Sequence, residues 1–464
     1  MRNSWYYVIY FASPDQESGL SPGGNGLHSQ PRHLSAGAWI GNMIDWRLFL
    51  ARLARRIWFR AAVFSILAVM LAIAAKYLGP LLPDELDADL GQDSVGNILQ
   101  ILASSMLAVT TFSLTAVVSA YSSATNLATP RSTQLLIEDQ TAQNALSTFL
   151  GTFLFSLVGI IALSTGFYDE KGRIILFIGT IGVVVLIAVT LLGWIAHITS
   201  FGRMSDVIDR VETAATRVAR KHAYNPCLGG VPAVPVPEAA KPIFIDQTGS
   251  IVHVNTARLI ELAEENDLTL HLPVIAGTYI HPRRPVLFAV GKLDDAVVES
   301  LRRPFTVERH RSFGDDPRLG FIALSEIASR ALSSAVNDPG TVIETINAIQ
   351  RVFVILLQTE RTDEKGSERL HVACPWVKDF VEDAFRPILR DASELEVSIR
   401  LQKALAALAA LSDTEEAAVF RRAADEAAIR ARDGLHYPAD LTAFEAGRRE
   451  AWELPVEYGG AAVR

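Results

Sequence analysis

The stretch SSMLAVTTFSLTAVVSAYSSATN, Ser104 to Asn126, carries no charged residue, yet it is dense in Ser, Thr, Ala and Asn. Its reading decides the fold. An uncharged run of this length is the signature of a membrane helix, and so many hydroxyls need a reason of their own. At the helical period Asn97, Gln100, Ser104, Thr111, Thr115, Ser119, Ser122 and Asn126 fall on one face roughly 100° wide, with Ala108 filling the gap. Leu99, Leu102, Met106, Val109 and Val117 lie opposite and suit lipid or apolar packing, while Ser105, Thr110 and Ser113 miss the stripe. Two readings compete. Small and hydroxylated residues let helices approach closely and hydrogen-bond across a bundle. Alternatively, the stripe lines a water-filled pore in an oligomer. The length of the stripe and the amides at its ends (Asn97, Gln100, Asn126) favour the pore. The lack of a carboxylate or lysine at mid-membrane argues against a proton-relay pump.

Working outward, four apolar segments reach the length of a bilayer crossing, at about 61–79, 95–125, 145–167 and 174–199. Only Lys76 and His197 are ionisable within them, and both sit near an end. In the third, Ser147, Gly151 and Gly159 read as ordinary small-residue helix packing. Arg52, Arg55, Arg56 and Arg60 precede the first span, and the connection LLPDELDADLGQD after it is purely acidic. Arg131 follows the second span, and Arg203, Arg210, Arg217, Arg220 and Lys221 follow the fourth. The positive-inside rule then predicts both termini in the cytoplasm.

Composition agrees. Half of the 464 residues are apolar, one fifth are charged, and the mean hydropathy is +0.23, above the soluble average. A formal net charge of −8 gives no reason to expect nucleic acid. Two distant cysteines, Cys227 and Cys374, imply neither a disulfide framework nor a zinc site, and read as free thiols. Residues 1–42 are Gly-, Pro- and Ser-rich without periodicity, a disordered extension or an over-extended start, since Met43 opens a natural beginning ahead of the first span.

Residues 203–240 read as an amphipathic helix, GRMSDVIDRVETAATRVARKH, followed by a Pro/Gly linker. Residues 241–312 alternate like strands around one helix, TARLIELAEENDL, with Thr256 as its N-cap. Their order resembles the barrel-sandwich modules of the biotinyl and lipoyl kind, but no lysine occupies a modification turn, so the expectation is a structural barrel. Residues 313–435 read as a helical layer. In it VNDPGT predicts a helix start with Asn337 or Asp338 as cap and Pro339 first, or else a ligand role for the polar cluster of Glu326, Arg330, Asn337 and Asp338. Residues 436–464 form a tail.

The expected fold is therefore mixed: a four-helix transmembrane N-terminal half, then a cytoplasmic α+β region built of a small β-barrel-like domain and a helical layer. The combination of SSMLAVTTFSLTAVVSAYSS…TPR, LSTFLGTFLFSLV, GSIVHVN…LIELAEENDL…AGTYIHPRRPVL and DPRLGFIALSEIASRALSSAVNDPGT, with His197 where the fourth span ends, resembles the domain-of-unknown-function 2254 family of predicted bacterial membrane proteins. The chain departs from that family's pattern at Ser334 (Pro in the family), Leu319 (an aromatic) and Asn126 (often Gln). The resemblance implies an integral inner-membrane protein with four spans and supplies no activity.

No HExxH, GxSxG or glycine-rich phosphate loop occurs, so neither an enzyme nor a cofactor is expected. His253, His271 and His281 lie on or near predicted strands without a metal-ligand partner at suitable spacing, and read as structural or surface residues. Two functions remain. The first is an oligomeric channel-like protein with a Ser/Thr-lined second span and a cytoplasmic regulatory domain. The second is a membrane-anchored sensor or scaffold whose cytoplasmic domain binds a ligand or partner.

Overall fold

The computed structural model describes residues 92–453 save 128, 138, 169, 392 and 393, together with nine residues between 62 and 77, all nine helical. Most of the predicted first span, the extension 1–42 and residues 454–464 lie outside the described residues, which all belong to one compact unit, Arg55–Arg464.

The second, third and fourth predicted spans are the helices α1 (Gln92–Leu127), α3 (Gln140–Ser164) and α4 (Glu170–Ile198), each longer than a bilayer requires. A short helix, α2 (Pro130–Ile137), sits between α1 and α3. It opens on a turn in which Ser132 Oγ accepts from the Thr129 N–H at 3.0 Å and donates to the Thr129 carbonyl at 2.9 Å. Asp139 caps α3 by accepting from Ala142 N at 2.6 Å. Helix α3 is the central one, with half of its apolar stretch buried against 11% for α1 and 17% for α4. Gly159 explains one close approach, because a Cβ there would stand 2.9 Å from Leu99 Cδ1 of α1. Two apolar clusters hold the three helices together, one around Leu99, Phe155 and Leu176 and the other around Met106, Phe149 and Trp194. Outward, α4 exposes Ile178, Ile181, Val185, Val189, Leu192 and Ile195, a surface that lipid, not water, would cover.

The amphipathic segment is a separate helix, α5 (Met204–Tyr224), not a continuation of α4. The break is at Gly202, whose φ is +79° and whose Cβ would lie 2.8 Å from the Ala120 carbonyl oxygen, so no other residue fits. The chain then forms β1 (Gly230–Pro232), β2 (Lys241–Ile243), β3 (Gly249–Val254), α6 (Thr256–Glu265), β4 (Thr269–Leu272), β5 (Tyr279–Ile280), β6 (Leu287–Val290), α7 (Asp295–Arg302) and β7 (Phe305–Glu308). Next come α8 (Leu319–Ala331), α9 (Pro339–Gln358), β8 (Ser367–Val372), α10 (Val377–Asp391), α11 (Leu395–Ala410), α12 (Thr414–Gly434) and α13 (Pro438–Glu453).

Five expectations are corrected. The strands make two open sheets, ordered β1-β8-β4-β6-β2 and β5-β3-β7, instead of a barrel. Two helices, α6 and α7, accompany them, and α6 is capped by Asn255, not Thr256. The segment expected to be wholly helical contributes β8, which runs parallel to both β1 and β4 at the sheet's interior. Its alternating SERLHV buries Leu370 and Val372 in the sheet's core. The tail begins with α13, whose Phe444 is fully buried against Ala428, Ala431 and Leu435.

The helical layer is built on one large core in which Phe321, Phe353, Phe380, Phe385 and Phe420 interlock, with ring centroids 4.6–5.6 Å apart. That core extends without interruption through Val207, Ile208 and Val211 of α5 to Leu136 of α2 and Ala124 of α1. Helix α9 is also long and apolar enough to cross a membrane. It is nonetheless the centre of this layer: Val342, Ile346, Ile349, Val352 and Phe353 are fully buried in it, and Arg351 pairs with Glu212 of α5 at 2.6 Å. Asp338 caps it with Pro339 at its start, as the sequence predicts.

Candidate functional site

Helix α1 places its hydroxyl face away from its neighbours. Asn97, Gln100, Ser104, Thr111, Thr115, Ser119 and Ser122 are all exposed, while Leu99 and Met106 opposite them are buried against α3 and α4. The side chain of Asn126 lies outside the described residues. Ser113, which misses the stripe, is fully buried. Three stripe hydroxyls donate back to their own helix, Ser104 to the Gln100 carbonyl, Thr111 to Leu107 and Thr115 to Thr111, each at 3.0 Å. Exposed apolar side chains bracket the stripe on both sides, Leu107, Leu114 and Val118 along one edge and Ile101 and Phe112 along the other.

Where these helices end, a buried charge cluster joins them to α5. Asp139, the α3 cap, is only 6% exposed; Arg210 Nη1 reaches its Oδ2 at 2.6 Å, and His197 Nε2 stands 3.1 Å from its Oδ1, off the line of a hydrogen bond. Arg210 Nε also meets both oxygens of Asp206 at 3.0 Å, and its guanidinium lies over the Phe201 ring at 5.3 Å. One carboxylate thus fixes the start of α3, the end of α4 and the first turns of α5.

The predicted polar cluster of the helical layer is divided by the structure. Glu326 of α8 pairs with Arg131 of α2. Arg330 follows one turn later on the same face of α8. Asn337 is exposed in the left-handed region with φ +46°, and Asp338 turns to its own helix, accepting from Thr341 N at 3.1 Å and from Thr341 Oγ1 at 2.6 Å.

Sequence reasoning missed a cavity of about 340 Å³ between the end of α5, the start of α6 and the loop before α8. Its walls are mainly apolar, with Val218, Pro226, Leu228, Ile275, Pro317 and Pro375 among them. Asp315 is its polar centre: His253 Nδ1 meets Oδ2 at 2.6 Å, and Lys221 Nζ donates to Oδ1 at 2.5 Å. The His253 hydrogen bond, then Lys221, hold the Asp315 carboxyl down to about 2. His222 lines the same cavity, and burial pushes its imidazole down to about 4 although it bonds the Pro375 backbone. The first residues of α6 complete the wall, so a helix N-terminus with its partial positive charge borders the space. His253 therefore does have a carboxylate partner, 62 residues away in sequence. The one sequence signal was the acidic pair of FGDDP ahead of a helix. His271, read as structural, is buried and stacks on His371 of the neighbouring strand with centroids 4.8 Å apart. The site can bind: it offers a mainly apolar space, a fixed negative charge paired with Lys221 and His253, and amide donors at its edge.

No curated protein and no solved structure matches the chain. A family model described as "Predicted membrane protein (DUF2254)" matches residues 54–407, from ahead of the first predicted span into α11. With that match over most of its length, and with helices whose exposed apolar faces suit lipid, the chain belongs to the DUF2254 family of predicted membrane proteins.

Proposed function

We propose that the protein is an oligomeric, channel-like protein of the bacterial inner membrane, in which α1 helices of several copies line a shared aqueous path and the C-terminal half is a cytoplasmic regulatory domain. The observation that carries this reading is the exposure of the hydroxyl stripe on a helix whose other side is already packed. Hydroxyls that face water solvate ions without holding them, and the apolar edges on either side of the stripe suit contact with sister helices. Both termini stand in the cytoplasm in this reading, supported by the basic residues of α5. The role in this reading is non-catalytic, and the Thr256 hydroxyl at the cavity wall is committed to the Leu228 carbonyl at 2.7 Å.

The test is cysteine accessibility in assembled protein with Cys227 and Cys374 replaced. Single cysteines at Ser104, Thr111, Thr115 and Ser122 are expected to react with a membrane-impermeant thiol reagent, and cysteines at Leu99 and Met106 to stay protected. Protection along the whole stripe would overturn the channel reading. The cavity at Asp315 favours a second reading, a membrane-anchored sensor. In that case the stripe stays dry, and Asp315→Asn alters the protein's output without altering flux.

A further inference from the structure

The two cysteines are 147 positions apart in sequence, yet they meet at the floor of the junction between α5 and the larger sheet. Cys227 lies in the turn NPCLGG that leaves α5. That turn is fixed by consecutive left-handed residues, Leu228 (φ +54°) and Gly229 (φ +87°), and by bonds from Gly229 N to Asn225 Oδ1 at 2.9 Å and from Gly230 N to the Cys227 carbonyl at 2.9 Å. Cys374 follows β8, two residues beyond Val372, whose register partner is Pro232 of β1. Pairing of β1 with β8 therefore brings the two connections side by side. Both thiols are half-buried, unlinked and packed against the same core, and the Cys374 Sγ donates to the Val372 carbonyl at 3.3 Å.

We propose that Cys227 and Cys374 form a reversible dithiol–disulfide site, oxidised by small disulfides, that ties the end of α5 to the start of α10. The contact sets an order of events. The neighbouring Cys374 first, and then Arg361, holds the Cys227 thiol down to about 7, whereas Cys227 and burial push Cys374 up. Cys227 thiolate attacks one sulfur of the oxidant RS–SR, the oxidant's S–S bond breaks, and one RS⁻ leaves with the electron pair. Cys374 then loses its proton to solvent and attacks the Cys227 sulfur, which forms the Cys227–Cys374 bond and releases the second RS⁻. Two thiols are oxidised and one disulfide is reduced to two thiols, so the exchange balances. Because Pro226 and Pro375, the sequence neighbours of the two cysteines, both wall the Asp315 cavity, closing the bond fixes two of its sides.

The experiment uses the full-length chain in detergent micelles, with oxidised glutathione at neutral pH as oxidant. Free thiols are then blocked with N-ethylmaleimide, followed by non-reducing peptide mass spectrometry. The expected result is a peptide pair joined at 227 and 374 that dithiothreitol releases. Cys374→Ser is expected to accumulate the glutathione adduct on Cys227, because no second thiol remains to resolve it. Two maleimide-blocked thiols after oxidation of the wild type would overturn the proposal.

Discussion

Asp139 offers the sharpest test of how the apolar helices are tied to the rest of the chain. Asp139→Asn keeps a side-chain oxygen for the Ala142 cap and removes the charge facing Arg210 and His197. A hydrogen bond to a charged group is worth about 1.5–3 kcal/mol. Arg210 retains Asp206, so the full penalty of an orphaned buried charge is not incurred. The Asn variant should therefore lose about 1.5–3 kcal/mol. Asp139→Ala also loses the cap, about 1 kcal/mol more. Arg210→Met should cost at least as much as Asp139→Asn, because it leaves a 6%-exposed carboxylate with only the cap and His197. Trp194, buried and 5.9 Å from the His197 ring, reports the transition by its fluorescence during thermal unfolding in micelles. The order expected is wild type, then Asn, then Ala. An Asn variant as stable as wild type would show that the Arg210 pair contributes nothing, and an Ala variant equal to Asn would remove the cap from the account.

Three further outcomes are expected. His222 is neutral when folded, about 4 against 6.5 when unfolded, so the unfolded chain binds the proton first as pH falls. Stability should thus be complete above 6.5 and decline toward pH 4 by on the order of 3 kcal/mol, and His222→Gln should flatten that decline in a pH series of melting temperatures. Asp315, held down to about 2, acts only below 3.8, in a separate window. Gly320→Ala should cost about 1–3 kcal/mol by overpacking, because its Cβ would collide with the Cβ of Ala215 on α5; Ala215→Gly in the same chain should recover only part of the loss in a double-mutant cycle, since the Ala215 Cα would still stand 2.8 Å away. Phe444→Ala should destabilise by about 3–5 kcal/mol if α13 belongs to the layer, and unchanged unfolding would return residues 438–453 to the status of a tail.

The helices of the second, third and fourth spans were legible because a bilayer imposes length and charge limits that the chain itself must satisfy, residue by residue. The cap at Asp338 was legible for a similar reason: Asp, Pro and the following turn are neighbours in sequence. The direction in which the stripe of α1 points was not, since a periodic face is the same whether it packs or looks outward. Strand β8 was hidden because SERLHV is short, lies between strong helices and pairs with residues about a hundred positions earlier. The barrel expectation failed for the same reason, as the order of strands in a segment does not reveal a strand supplied from outside it. His253 with Asp315, and Cys227 with Cys374, are products of those long-range pairings and became visible only with them.

The place of β8 has a consequence for biosynthesis. The larger sheet needs this strand between β1 and β4, and it is made only after α8 and α9. A nascent chain stopped at residue 312 would present β4 without its parallel neighbour and β1 without any partner in that sheet. The apolar helices emerge from the ribosome much earlier and can insert while the sheet is still incomplete. Assembly of the C-terminal half is then a late, single event in which sheet and helical layer close together. For the same reason, residues 241–312 expressed alone should expose an unpaired strand edge and aggregate, whereas a fragment that runs from α5 through α13 carries every strand the sheet requires.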